Sequence, residues 1–225
     1  MKAAEVLDLL NRNEIDKLRN LCINEIFTAN SAKADAVKAR TRLANKIAKT
    51  VKKERPALAG AYEIDGKQML CDGYIGAMYN DIIPGLPQPE QPGGADMRKI
   101  IPYRSARKEL EIKIDIDELK KRLKVIKAEN PNHSKKDKWL VKIDQAYYDI
   151  DLMLDLIPTL SGDLRISRAD NPLSSPKYAL LVIEGENGIG VILPMRPLKD
   201  EEFIEADVVK DYNKDTNFWE ESYYA

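Results

Sequence analysis

Apolar residues recur three and four apart in several stretches of this 225-residue chain and gather in short runs elsewhere. Over residues 3–28, Leu7, Leu10, Leu18, Leu21 and Ile26 make one helical face, with a break expected at Asn11 to Asn13. The polar joint Asn30-Ser31 predicts a cap for a second helix over about 33–54. Ala36, Ala39, Leu43, Ile47 and Val51 give that helix a core face, and Pro56 stops it. Strands are expected at 58–64 and 67–71, joined by the hairpin signal Asp65-Gly66, and at 74–79 after Asp72-Gly73. Residues 84–94 hold four prolines and three glycines and predict an irregular loop. A strand at 109–114 leads into a helix at about 116–128, whose apolar face is Ile116, Leu119, Leu123 and Ile126. A strand at 139–143 and a helix at 147–157, stopped by Pro158, come next. Strands at 163–168, 178–183 and 189–193 complete the pattern. In the turn between the last two, Asn187-Gly188 is expected to supply positive backbone angles.

A helix followed by three strands at 33–79 thus recurs at 146–193. Two such units predict an α+β domain with helices on one side of antiparallel sheets. The expected organisation is an N-terminal helical extension at 1–30, an α+β domain at 31–197 and a tail at 198–225. The domain's half-units lie at about 33–80 and 110–197, with the Pro/Gly loop 84–94 between them.

Composition supports a buried core, with 44% apolar residues, and the formal net charge of −1 carries no whole-chain signature of nucleic acid. That balance hides a segregation. Residues 33–55 carry nine cations against Asp35 and Glu54, whereas the tail from 199 carries nine acids against three lysines. The tail, which also holds Phe218, Trp219, Tyr223 and Tyr224, is expected to be disordered or to dock on a surface. Cys22 and Cys71 form no disulfide framework and fit a reducing, cytoplasmic setting. His133 is the single histidine and sits in a polar loop, so no metal site is expected. The first residues do not read as a signal peptide, and no apolar run approaches membrane-spanning length.

Taken together, Arg55 to Gly66, Cys71-Asp72-Gly73-Tyr74, Tyr147 to Leu154, Ser174-Ser175-Pro176 and Val191 to Arg196 resemble the bacterial β sliding clamp (DNA polymerase III β subunit) family, and its shortened, phage-type members above all. The stretch from Arg55 to Gly66 is similar to the clamp's helix exit and first hairpin, and Cys71-Asp72-Gly73-Tyr74 to its Thr-Asp-Gly-aromatic turn. Tyr147 to Leu154 resembles its Tyr-Leu-x-x-Leu helix, Ser174-Ser175-Pro176 the next strand entry, and Val191 to Arg196 its closing strand. The similarity touches residues 33–80 and 139–197. Cys71 stands in place of the family's threonine, and Ile75 where a basic residue is usual. A family subunit has three domains; this chain has room for about one plus its extensions, so a ring would need about six copies.

The resemblance implies a DNA-clamp-like fold and a non-catalytic replication accessory role as a processivity factor, without a cofactor. The implied partners are duplex DNA and a polymerase or other replication proteins, with no membrane. The helix cations Lys38, Arg42, Lys46, Lys49 and Lys53, with Lys120, Lys124 and Lys127, would face phosphates, where cations give sequence-neutral, salt-sensitive attraction. The same spacing also describes a solvated helix face. A peptide groove would be formed by Asp72, Gly73, Tyr74, Leu193, Pro194, Met195 and Arg196; the plainer reading of Val191 to Met195 is a buried strand. The first alternative is a protein-interaction module that keeps the clamp fold and does not encircle DNA. The second is a Mg²⁺-dependent nuclease using Glu111 and Lys113, with Asp96 as upstream ligand.

Overall fold

The computed structural model describes residues 15–51, 54–91, 94–129, 131, 138–169, 179–195 and 209–211. Lys53, His133, Ser174 to Pro176, Arg196 and most of the acidic tail lie outside them.

Helix α1 (Ile15–Val51) runs for 37 residues without the joint expected at Asn30-Ser31. The segment contains no glycine or proline. Asn and Ser each cost a helix only about 0.5 kcal/mol relative to alanine, too little to break one held by packing. Ala36, Ala39, Leu43, Ile47 and Val51 are buried as the periodicity predicts. Arg40 lies in the same stripe and is 1% exposed, which the pattern of apolar residues does not reveal.

Strands β1 (Ala61–Ile64) and β2 (Lys67–Cys71) follow a single 3-10 turn at Pro56–Leu58. Asp65 (φ 49°) and Gly66 (φ 74°) both take the left-handed conformation that a tight hairpin turn requires. Next come β3 (Ile75–Tyr79), the short helix α2 (Met97–Ile100), β4 (Lys108–Leu110), β5 (Ile112–Ile114) and helix α3 (Ile116–Glu129). Then β6 (Leu140–Ile143), β7 (Ala146–Asp149), helix α4 (Ile150–Leu156), β8 (Arg165–Ala169), β9 (Leu180–Gly185) and β10 (Gly188–Ile192) complete the main body. A last strand, β11 (Val209–Asp211), lies in the tail and pairs antiparallel with β5.

Seven strands form one antiparallel sheet in the order β1-β2-β3-β10-β9-β8-β4. Two meanders, β1-β2-β3 and β8-β9-β10, therefore meet through their third strands, with Ala77 opposite Gly190. The sheet is buried on both faces. Leu70, Tyr79, Leu181, Ile183 and Ile192 pack in one cluster with Leu43 and Ile47 of α1, Leu119 and Leu123 of α3, and Met153 and Leu156 of α4. Met69, Cys71, Val182 and Val191 point the other way and pack against Met97 and Ile101. Because side chains alternate along a strand, covering both faces makes the central strands near-continuous apolar runs.

Three further expectations are corrected. The strand at 109–114 divides at Glu111: β4 joins the large sheet through β8, and β5 pairs with β11. The helix expected from 147 begins at Ile150, and Tyr147-Tyr148 belong to β7, paired with β6 around Asp144 (φ 55°). The cause is Asp149, whose Oδ1 accepts the Asp151 N–H at 2.8 Å and so fixes the helix start. In the β9–β10 turn, neither Asn187 nor Gly188 takes a positive φ. Asn187 works through its side chain instead: Oδ1 accepts the Ser161 N–H at 2.8 Å, and Nδ2 donates to the Thr159 carbonyl at 2.9 Å.

Candidate functional site: a charged cleft beside two cationic helices

The turn after β2 is built by its own side chains. Asp72 Oδ1 accepts the N–H groups of Tyr74 (2.7 Å) and Ile75 (2.8 Å), an Asx-type closure. Gly73 has φ 97°, and a Cβ there would lie 1.7 Å from Arg55 Nη1. Only glycine therefore permits both the turn and the close approach of Arg55, which donates to the Asp72 carbonyl at 3.1 Å. The Arg55 guanidinium stands 5.8 Å from the centre of the Tyr74 ring, which is 50% exposed. A segment from the far end of the chain joins this turn. Leu193 N–H donates to the Tyr74 carbonyl at 2.8 Å, and Met195 N–H donates to the Tyr147 carbonyl at 2.7 Å.

Next to the turn opens a cleft of about 580 Å³. The end of α1 supplies Lys46, Thr50 and Val51, with Glu54 and Arg55 just beyond; Asp72, Tyr74 and Lys138 close one side, and Asp151, Leu152, Leu154 and Asp155 of α4 the other. Apolar Val51, Leu152 and Leu154 with the Tyr74 ring are thus ringed by charges of both signs, the chemistry of a site for an amphipathic peptide. Leu193, Pro194 and Met195 are all half-buried and do not line it; Leu193 reaches it through its bond to Tyr74. Leu152 and Leu154 do line it. Their signal in the sequence is that they are left over when Ile150, Met153 and Leu156 take the buried face of α4.

Asp149 anchors this wall. It is fully buried, caps α4 and holds Lys138 Nζ at 3.0 Å. The hydrogen bond to Asp149 holds Lys138 above its ordinary pKa, against a smaller opposing effect of burial. A lysine whose folded pKa is raised contributes stability that is complete below the unfolded value and lost as pH rises through the folded one. The expected result is that wild type exceeds Lys138→Met in urea midpoint at neutral pH, and that the gap closes above about pH 10.4. A gap independent of pH would remove the ion pair as its source.

The described cations expected to face DNA fall into three groups. Lys46 bonds Asp155 and Lys127 lies 3.6 Å from Asp151, so α1 and α3 each send a lysine to the same acidic face of α4. Lys38 and Lys120 pair locally with Asp35 (3.6 Å) and Asp117 (3.0 Å), exposed pairs worth little. Arg42, Lys49 and Lys124 are exposed. The two stripes therefore flank α4 and are punctuated by its carboxylates.

The nuclease constellation does not assemble. Asp96 caps α2, binds Arg98, and is tied to the β1 edge, because Tyr62 OH bonds the Ala95 carbonyl and Arg98 bonds Asp65. Glu111 and Lys113 follow β4 at the opposite edge. Six strand spacings separate the edges, roughly 29 Å. Among the described residues, no group of three His, Cys, Asp or Glu is placed to hold a metal, and no helix is long and apolar enough to cross a membrane.

No family model and no curated protein matches this chain. Among solved structures it is similar to DNA polymerase III subunit beta from Borrelia burgdorferi, determined in complex with a natural product. The TM-score is 0.45 at 12% identity, over 72% of this chain and 63% of that one. The chain thus covers less than two thirds of that protein's length, and a likeness at this level transfers no residue's role.

Proposed function

We propose that this chain is a clamp-like, non-catalytic replication accessory protein whose two helix-plus-meander segments are the half-units of one domain. It holds peptide segments of replication proteins in the cleft beside Tyr74 and duplex DNA against the cations of α1 and α3. One observation carries this reading: the segments that resemble clamp motifs, remote in sequence, are joined at one place. The Tyr74 carbonyl of the Asp72-Gly73-Tyr74 turn accepts the Leu193 N–H, and Asp72 and Tyr74 line the cleft. In this reading Tyr74 and Leu152 grip the apolar side chains of the peptide, Lys46, Arg55 and Lys138 its acids, and Leu193 to Met195 brace the wall.

The test is capture of a short peptide carrying two adjacent large apolar residues beside an acid. Tyr74→Ala is expected to weaken capture about tenfold, the loss of one well-packed aromatic contact. Tyr74 is half-exposed, so the thermal midpoint should hardly move. Equal capture by wild type and by a Tyr74→Ala/Leu152→Ser double variant would end the groove reading.

A further inference from the structure

The face of the sheet away from α1, α3 and α4 is crossed by residues 95–107, which Met97 and Ile101 peg into the apolar surface of Met69, Val182 and Val191. From Met97 to Lys108 the chain carries five cations (Arg98, Lys99, Arg104, Arg107 and Lys108) and no acid. Where this segment reaches β8 there is a cleft of about 120 Å³, room for one phosphate group, lined by Arg104, Arg107, Arg165 and Ser167 with Glu109 and Glu184. Arg107 is held in place: Nε donates to the Pro102 carbonyl at 2.7 Å, and Nη1 lies 3.5 Å from Glu184. Glu184 is the cross-strand neighbour of Arg165, yet it turns to Arg107. Arg104 and Arg165 are exposed and have no ion pair among the described residues. Beside them Tyr103 is 83% exposed, more than any other large apolar side chain described.

We infer that this outer cleft is a binding surface for single-stranded nucleic acid, with a phosphate among Arg104, Arg107 and Arg165 and a neighbouring base stacked on Tyr103. Guanidinium groups are suited to bidentate recognition of phosphate oxygens, and an exposed ring gives every base a face to stack on. A duplex keeps its bases stacked inside and offers Tyr103 nothing planar. Acidic side chains satisfy the arginines but bring no ring to stack on Tyr103. Burial holds Arg107 below its ordinary pKa; Glu184 opposes this, and the Arg104 charge adds a smaller push in the same direction as burial. The surface is separate from the cationic helices, and its failure leaves the proposed function standing.

The test uses the full chain and a short fluorescein-labelled oligothymidylate, read by anisotropy across a salt series. Tyr103→Ala is expected to weaken binding about tenfold, one lost base stack. Arg104→Glu with Arg165→Glu should weaken it further and flatten the salt slope by about 0.7, the one phosphate the cleft holds. All three side chains are exposed, so circular dichroism should show unchanged folding. The inference is overturned if the oligothymidylate does not bind, or if both variants bind it like wild type. It is also overturned if a peptide of residues 199–225 binds in a Tyr103-dependent way while the oligothymidylate does not, which would give the cleft to acidic protein.

Discussion

Asp81→Ala is expected to destabilise the protein by about 2–3 kcal/mol, although the Asp81 side chain is 57% exposed. The cost arises on the partner. Arg40 is 1% exposed, donates to both Asp81 carboxylate oxygens at 3.0 Å, and lies 4.3 Å over the centre of the Tyr79 ring. Tyr79 is fully buried and bonded to Thr159 Oγ1 at 2.7 Å; burial pushes its phenol up to about 12, so it stays neutral beneath the guanidinium. Without Asp81 the ring face remains, and the buried charge loses its counter-ion. Arg40→Met, which removes the charge and keeps much of the volume, is expected to cost less than Asp81→Ala. The double variant should cost less than the sum of the two. Urea unfolding of the four proteins measures this. An Asp81→Ala midpoint equal to wild type would mean that water, not Asp81, compensates the guanidinium.

Charge reversal at Arg42, Lys49 and Lys124 to glutamate should lower affinity for duplex DNA roughly 100-fold or more at about 0.1 M salt. Each phosphate neutralised contributes a salt slope of about 0.9, hence close to a tenfold term per cation at that salt. These three positions are chosen because Lys46 and Lys127 also tie α1 and α3 to α4, and Lys46 lines the cleft. A second arm points the other way. Asp151→Asn with Asp155→Asn removes the carboxylates between the stripes and should raise affinity several-fold while flattening nothing in the salt slope. Retained affinity in the triple variant, or no gain in the asparagine pair, would show that the helix cations are a solvated face.

Much of the fold was legible because its signals are local. The Asp65-Gly66 hairpin, the apolar stripe of α1 and the face of α3 each depend on residues within one or two turns of each other. The misreadings share a cause. Tyr147-Tyr148 scan equally well as the start of a helix or the end of a strand, and a single cap at Asp149 decides between them. Asn187-Gly188 has the composition of a positive-φ turn, but Asn187 is held by Thr159 and Ser161, more than 25 residues away. The division at Glu111 follows from two different partner strands, which no window of sequence contains.

The candidate site was less legible for the same reason. Asp72, Gly73 and Tyr74 announce a turn, and Leu193 to Met195 an apolar strand end. Their hydrogen bond, and the roles of Val51, Leu152 and Lys138 beside them, exist only once β3 and β10 pair.

By itself the sequence determined which segments bury a face, where chain reversals fall, and that cations and acids are segregated, since periodicity and backbone preference act over a few residues. Tertiary structure alone decided that Arg40 is a core residue, that the cations of α1 and α3 share the carboxylates of α4, and that the Tyr74 turn meets the Leu193 strand end. Those outcomes depend on which surfaces come within a few ångströms, and the desolvation and pairing energies that settle a buried charge arise only at that distance.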